Sequence, residues 1–315
     1  MVDAINVDLA RRTGIRWAKP GPQLPSAARV RIIEGLREAA QRSVGLVAEA
    51  TGLPGDGSLG ETLVVDRTGV VATNASVMAM VMDKATQAGE KPNWLVRDVT
   101  GCVAGIVLGF LGTNILGQYE PFSQRLLLNA PAIERVRDSI GGDTDDFSLW
   151  VCLHEQTHRQ QFAAAPWLGD YLLELMTQLL GTDQHDEPRV LSAVDQLKNP
   201  ADIVPSEVTA VMSLLEGYAD MLMDQAGSEV IPTLSEIRRS FDFRRQNSLR
   251  GLTGVVNRLF GLAMKHQQYA VGKKFCEVVC QEVGLDGLNR AFQTREYLPT
   301  EKELHHPSEW VARLS

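Results

Sequence analysis

Apolar residues at Ile32, Ile33, Leu36, Ala40, Val44 and Val47 fall three or four apart, the period of one helix face, and predict an amphipathic first helix. Glycine and proline crowd residues 50–60, which predicts a loop. Beyond it, Glu61–Val65 reads as a short strand and residues 74–88 as a helix with Met78, Val81 and Met82 inward. Trp94–Leu116 reads as an apolar helix, and Arg125–Asn129, with three leucines in a row, as a second strand. Helical patterning continues through Ser148–Phe162, Trp167–Leu180, Pro188–Leu197, Ser206–Gln225, Ser235–Arg250 and most of Gly251–Val283, with a short closing helix after Pro307. The pattern predicts a mainly α chain, α+β only through a very small sheet, with neither internal repeat nor low-complexity linker. It reads as a single domain over 1–315, with an N-terminal helical segment of about 1–55 packing on the rest.

The apolar helix carries Gly101, Gly105 and Gly109 at every fourth position, a smooth stripe along which a second helix can approach closely. Its uninterrupted apolar part, Gly101–Gly117, is 17 residues long and broken by Thr113 and Asn114, short of the roughly 20 apolar residues of a span. No membrane span is therefore predicted, and the helix reads as a buried central one. A net charge of −8 argues against nucleic acid as a partner for the whole molecule, although residues 11–42 hold eight Lys/Arg against two Glu. That basic stretch reads as a solvated helix face. Four cysteines in 315 residues do not make a disulfide framework, and the first residues lack the apolar core of a secretory signal, so a reducing cytoplasm is the expected location. The acidic loop 141–146 reads as a helix cap rather than a calcium site.

One segment carries specific chemistry. His154-Glu155-Gln156-Thr157-His158 is H-E-x-x-H inside a helical stretch. Residues four apart share a helix face, so both imidazoles can reach one metal ion, and Glu155 sits beside that face, where it could take a proton from a metal-activated water. A catalytic zinc needs a third protein ligand and one open position. A third histidine six residues after the second is absent, since Ala164 stands there, and Gln161 replaces the glycine that such a motif uses to turn the chain. Glu216, an acid among apolar residues in Leu214–Ala219, is the best candidate, because a buried carboxylate is costly unless it is paired or metal-bound. His185 is the weaker alternative. Asp220, one turn after Glu216, is placed to accept the second N–H of a ligating histidine. For an oxyanion-stabilising donor the candidates are Tyr218, Tyr269, His266 and Arg258, with Tyr269 slightly favoured by its polar island Lys265–Tyr269.

Several segments extend this pattern: VVDRTGVVATNAS (64–76), LGQYEPF (116–122), LHEQTHRQQF (153–162), SLLEGYADMLMD (213–224) and RLFGLAMKHQQYAVGKKF (258–275). With these the chain resembles the zincin-like zinc metalloproteases and hydrolases of actinobacteria and related bacteria, a family associated with deazaflavin-coenzyme biosynthesis. The resemblance covers most of the chain and departs at Met221, where similar proteins often carry a polar residue. It implies a zincin-like, mainly helical fold with Zn2+ on His154, His158 and Glu216, and Glu155 as general base. The expected activity is gluzincin-like hydrolysis of a peptide or protein substrate. The alternatives are a catalytically silent zinc-binding interaction protein and a zinc amidohydrolase of non-peptide substrates.

Overall fold

The computed structural model describes residues 5–55, 60–85, 93–180, 206–225, 227–247 and 262–315, with the backbone alone for residues 85, 179–180, 228, 241–247 and 262–269. The elements in chain order are α1 (Val7–Trp17), α2 (Ser26–Thr51), β1 (Glu61–Val65), α3 (Arg67–Ala85), α4 (Trp94–Asn114), β2 (Gly117–Glu120) and β3 (Arg125–Asn129). They continue with α5 (Ala130–Ile140), α6 (Thr144–Ala164), α7 (Trp167–Leu180), α8 (Ser206–Gln225), α9 (Gly227–Val230) and α10 (Leu234–Asn247). Last come α11 (Leu262–Asn289), interrupted at Gly284, then α12 (Glu301–His305) and α13 (Pro307–Leu314). The chain is thus mainly helical with one small sheet, as its patterning predicts, although α1, β2, α5, α9 and α12 lie where the sequence predicts no element. The helix expected over Pro188–Leu197 falls outside the described residues.

The sheet order is β1-β3-β2. β1 runs parallel to β3, with Leu63 opposite Leu127, and β2 runs antiparallel to it, with Tyr119 opposite Leu126. As the central strand, β3 buries Leu126, Leu127 and Leu128, which is why it reads as a continuous apolar run rather than an alternating one. β2 is an edge strand among the described residues, and its four residues carry too little pattern to be seen in sequence.

Three apolar clusters hold the helices. One joins α1, α3 and α4 through Ile5, Ala10, Val71 and Leu108. A second joins α2, β3, α5, α6 and α10 through Leu36, Leu128, Ile133, Phe147 and Ile237. The third joins α7, α8, α11 and the C-terminal helices through Leu172, Leu214, Tyr218, Phe275 and Trp310. α6 thus packs on α2 along one side and on α8 along another, and this brings the two ligand-bearing helices together.

The glycine stripe of α4 is covered by α1. A Cβ on Gly105 would stand 2.6 Å from the Ala10 carbonyl oxygen, and one on Gly109 2.8 Å from that of Gly14. Contrary to a fully buried central helix, α4 is exposed at Leu95, Val99 and Ile106, because among the described elements α1 and α3 cover only part of its circumference. By length and composition α4 is apolar enough to cross a membrane.

α8 and α11 cross more closely still. A Cβ on Gly217 would lie 2.1 Å from the Gly272 carbonyl carbon, and one on Gly272 1.8 Å from the Ser213 carbonyl oxygen. Backbone meets backbone here, so no rotamer change relieves an added methyl. Gly272→Ala is expected to destabilise the protein by about 3 kcal/mol or more, seen as a lowered midpoint in denaturant unfolding. Gly35→Ala in α2, where an added Cβ meets nothing within 4 Å, is the control; it is expected to leave the midpoint unchanged or raise it slightly, by up to about 1 kcal/mol. Equal effects of the two substitutions would contradict the tight crossing.

Candidate metal centre

The helix that carries the two histidines is fixed at its start. Asp143 caps α6 by accepting the N–H groups of Asp145 and Asp146 at 2.9 and 3.0 Å. Asp146 in turn accepts the N–H and hydroxyl of Thr233 at 2.8 and 2.7 Å, tying the first turn to the segment before α10. One helix face carries Phe147, Val151 and Cys152 into the core, while the stretch Glu155–Gln161 buries Glu155, Gln156, Thr157, Arg159, Gln160 and Gln161. Burying so many polar side chains in one run is unfavourable unless they are partnered, and several contacts below are those partners.

His154 and His158 lie one turn apart, with ring centroids separated by 4.7 Å and nearly perpendicular planes. Their Nε2 atoms are 3.1 Å apart. From α8, Glu216 brings Oε2 to 3.3 Å from His154 Nε2 and 3.6 Å from His158 Nε2. These three donors could hold a metal ion, all lying within 4.8 Å of one another. Two ligands held about 2.0–2.1 Å from a tetrahedral zinc lie about 3.3–3.4 Å apart, so the observed separations fit the ion with little adjustment. The donor set, two imidazoles and one carboxylate, is also one that zinc favours.

Glu155 is buried beside this cluster, and its Oε2 accepts the Tyr119 backbone N–H at 3.1 Å. Gly117 makes room for it: a Cβ there would stand 2.5 Å from Glu155 Cγ. Burial lifts the Glu155 carboxyl above the usual range, and the negative charge of Glu216 adds to this, against the two imidazoles and the Tyr119 N–H. Glu216 is held well below the ordinary range: burial opposes its charge, but His158 and His154 outweigh it. A cavity of about 620 Å3 opens onto the cluster, walled by Tyr119, Phe122, Phe162, Leu172, Met176 and Met212.

A family model for zincin-like metallopeptidases matches residues 5–311. The chain belongs to the zincin-like metallopeptidase family. A crystal structure from Chloroflexus aurantiacus, described as "a putative hydrolase with a novel fold", is similar over 98% of this chain and 98% of its own, with 27% sequence identity and a TM-score of 0.71. No curated protein matches significantly.

In this member of the zincin-like metallopeptidase family, the other residues singled out in sequence sit as follows. Asp220 lines the same cavity, but its carboxylate pairs with Arg238 of α10, whose Nη2 also donates to the Asp220 carbonyl at 2.9 Å and whose Nε lies 2.7 Å from Asp224. The Nδ1 of His158 faces Gln161 Oε1 at 2.9 Å. Tyr218 points away from the donors: fully buried, its hydroxyl donates to Asn289 Oδ1 at 2.8 Å, and burial pushes its pKa up. Tyr269 and His266 lie where the backbone alone is described, and Arg258 and His185 lie outside the described residues. The sequence reading missed Gln161 and Arg238 as partners of the site. Gln161 was legible only as a residue three positions after His158 on the same helix face.

His158 yields a pH-dependent expectation for the metal-free zincin-like protein. Burial lowers its pKa, but the adjacent Glu216 charge and hydrogen bond outweigh this and raise it from near 6.5 to about 9. A folded-state pKa above the unfolded one adds stability that is fully present below about 6.5 and is lost as the pH rises through about 9. Thermal melts of the chelator-treated protein are therefore expected to shift to lower temperature across that window. A flat profile would mean that Glu216 does not hold a charged imidazole.

Proposed function

We propose that this protein is a zinc-dependent metallopeptidase of the gluzincin type, H-E-x-x-H followed by E-x-x-x-D, cutting peptide bonds in a peptide or protein substrate. The observation that carries the reading is three metal-binding donors with mutual spacings of 3.1–3.6 Å on the wall of a cavity, with a buried carboxylate beside them. A structural zinc site is closed by four protein ligands, whereas three ligands facing a cavity are the catalytic arrangement.

Zinc, when bound, supplies Lewis-acid polarisation of a carbonyl and of water. Glu155 moves the proton. Its Oε2 is engaged by the Tyr119 N–H, which leaves Oε1 to take a proton from water and return it to the leaving amine. Burial suits the task, because a carboxylate made more basic than usual takes a proton more readily near neutral pH. Glu216 and the two histidines hold the metal, while the apolar wall residues exclude water and receive the uncharged side chains of a substrate.

The test is hydrolysis of a peptide mixture, read by mass spectrometry, before and after metal removal. The zinc-loaded protein is expected to cut, the chelator-stripped protein to stop, and added zinc to restore cutting. A stripped protein that keeps cutting at the original rate overturns the reading.

A further inference from the structure

We propose that Gln161 is a positioning residue that selects which ring nitrogen of His158 faces the metal. The inference rests on the zinc reading above and assigns a role to a side chain outside the ligand set.

Gln161 is fully buried, so its amide has no water to satisfy it. Its Nε2 donates to the Leu215 carbonyl oxygen at 3.0 Å. Only the NH2 end of the amide can donate, so this contact fixes the orientation of the group and turns Oε1 the other way. Oε1 then lies 2.9 Å from His158 Nδ1. An amide oxygen only accepts, so Nδ1 must carry the hydrogen. In neutral imidazole this leaves the lone pair on Nε2, the atom that faces His154 Nε2 and Glu216 Oε2. The hydrogen-bond chain from the Leu215 carbonyl through the amide to the ring thus sets the tautomer needed for metal binding.

The same chain spans the two ligand-bearing helices. Leu215 directly precedes Glu216, so one buried side chain links the ring of the second ligand on α6 to the backbone beside the third ligand on α8. Outer partners of metal-bound histidines commonly are carboxylates or backbone carbonyls. Here Asp220 is paired with Arg238, and the amide at position 161 stands against the ring.

The experiment compares wild type, Gln161→Met and Gln161→Glu in three measurements: zinc affinity by competition with a chromophoric chelator, the visible spectrum of the cobalt-loaded protein, and the melting temperature without metal. Gln161→Met keeps the shape and removes the acceptor; it is expected to weaken zinc binding about 10- to 100-fold and to alter the cobalt spectrum. Gln161→Glu retains an acceptor for Nδ1–H and is expected to bind zinc within about threefold of wild type, with an unchanged cobalt spectrum, even though it loses the Leu215 contact. A merely structural amide would lower both melting temperatures and leave zinc affinity alone, and that result overturns the proposal. Equal loss of affinity in both variants overturns it as well, because the Leu215 tether rather than the acceptor would then be decisive. Should Gln161→Met fail to fold, affinity loss in Gln161→Glu alone would count against it. Wild type that takes up no zinc refutes the metalloenzyme reading itself, whereas Gln161→Met binding as tightly as wild type refutes only the role of Gln161.

Discussion

Glu155→Gln is expected to keep one zinc per chain and to lose hydrolysis by a factor of about 10^3 to 10^4, at the upper end of what a positioned general base contributes. The substitution is nearly isosteric. Its amide oxygen can still accept the Tyr119 N–H that holds the native side chain at 3.1 Å, and the space left by Gly117 is unchanged. What disappears is the atom that takes a proton. Because the native carboxylate is buried and lifted above its usual range, a neutral amide is easier to accommodate, so the variant is expected to melt no lower than wild type. Zinc content by mass spectrometry, a melting curve and kcat/KM on a cleaved peptide together make the test. Undiminished turnover would remove Glu155 from the reaction, and loss of zinc would show that it supports the ligands instead.

Glu216→Ala has the largest expected effect on metal binding. It removes the one ligand that does not come from α6, and two imidazoles alone do not complete a zinc site. Zinc affinity is expected to fall by more than the 10- to 100-fold typical of losing an outer partner, with zinc absent after gel filtration. The same variant also takes away the charge that lifts His158. The loss of stability between about pH 6.5 and about 9, expected of the metal-free native protein, should therefore vanish in Glu216→Ala. Retention of stoichiometric zinc would mean that another residue supplies the third ligand.

Much of the fold was legible because local patterning and tertiary role agree. β1, β3, α7 and α8 fall where apolar runs and turn residues place them. α3 begins at Arg67, well before the expected 74, since Asp66 accepts the Gly69 N–H at 2.9 Å and supports the first turn despite the β-branched residues that follow. α1 is short and amphipathic, and the residues it buries, Ala10 and Gly14, are small; it is seated by the glycines of α4, a contact that exists only once both helices have formed. At the site, the H-E-x-x-H spacing and an acid stranded among leucines were enough to bring His154, His158 and Glu216 to notice. The roles of Gln161 and Arg238 were not legible. Each depends on a partner far along the chain, Leu215 for one and Asp220 for the other, and nothing in local sequence specifies such pairings.

β2 is the border of its sheet, and Tyr119 there spends its main-chain donor on the Glu155 carboxylate. A guest polypeptide laid alongside this strand would find that rung of the ladder already taken. Displacing Glu155 to free it would disarm the proton carrier, so docking along the border and chemistry compete for one amide. Under the proposed peptidase function, recognition is expected to lean on the apolar cavity walls more than on strand addition.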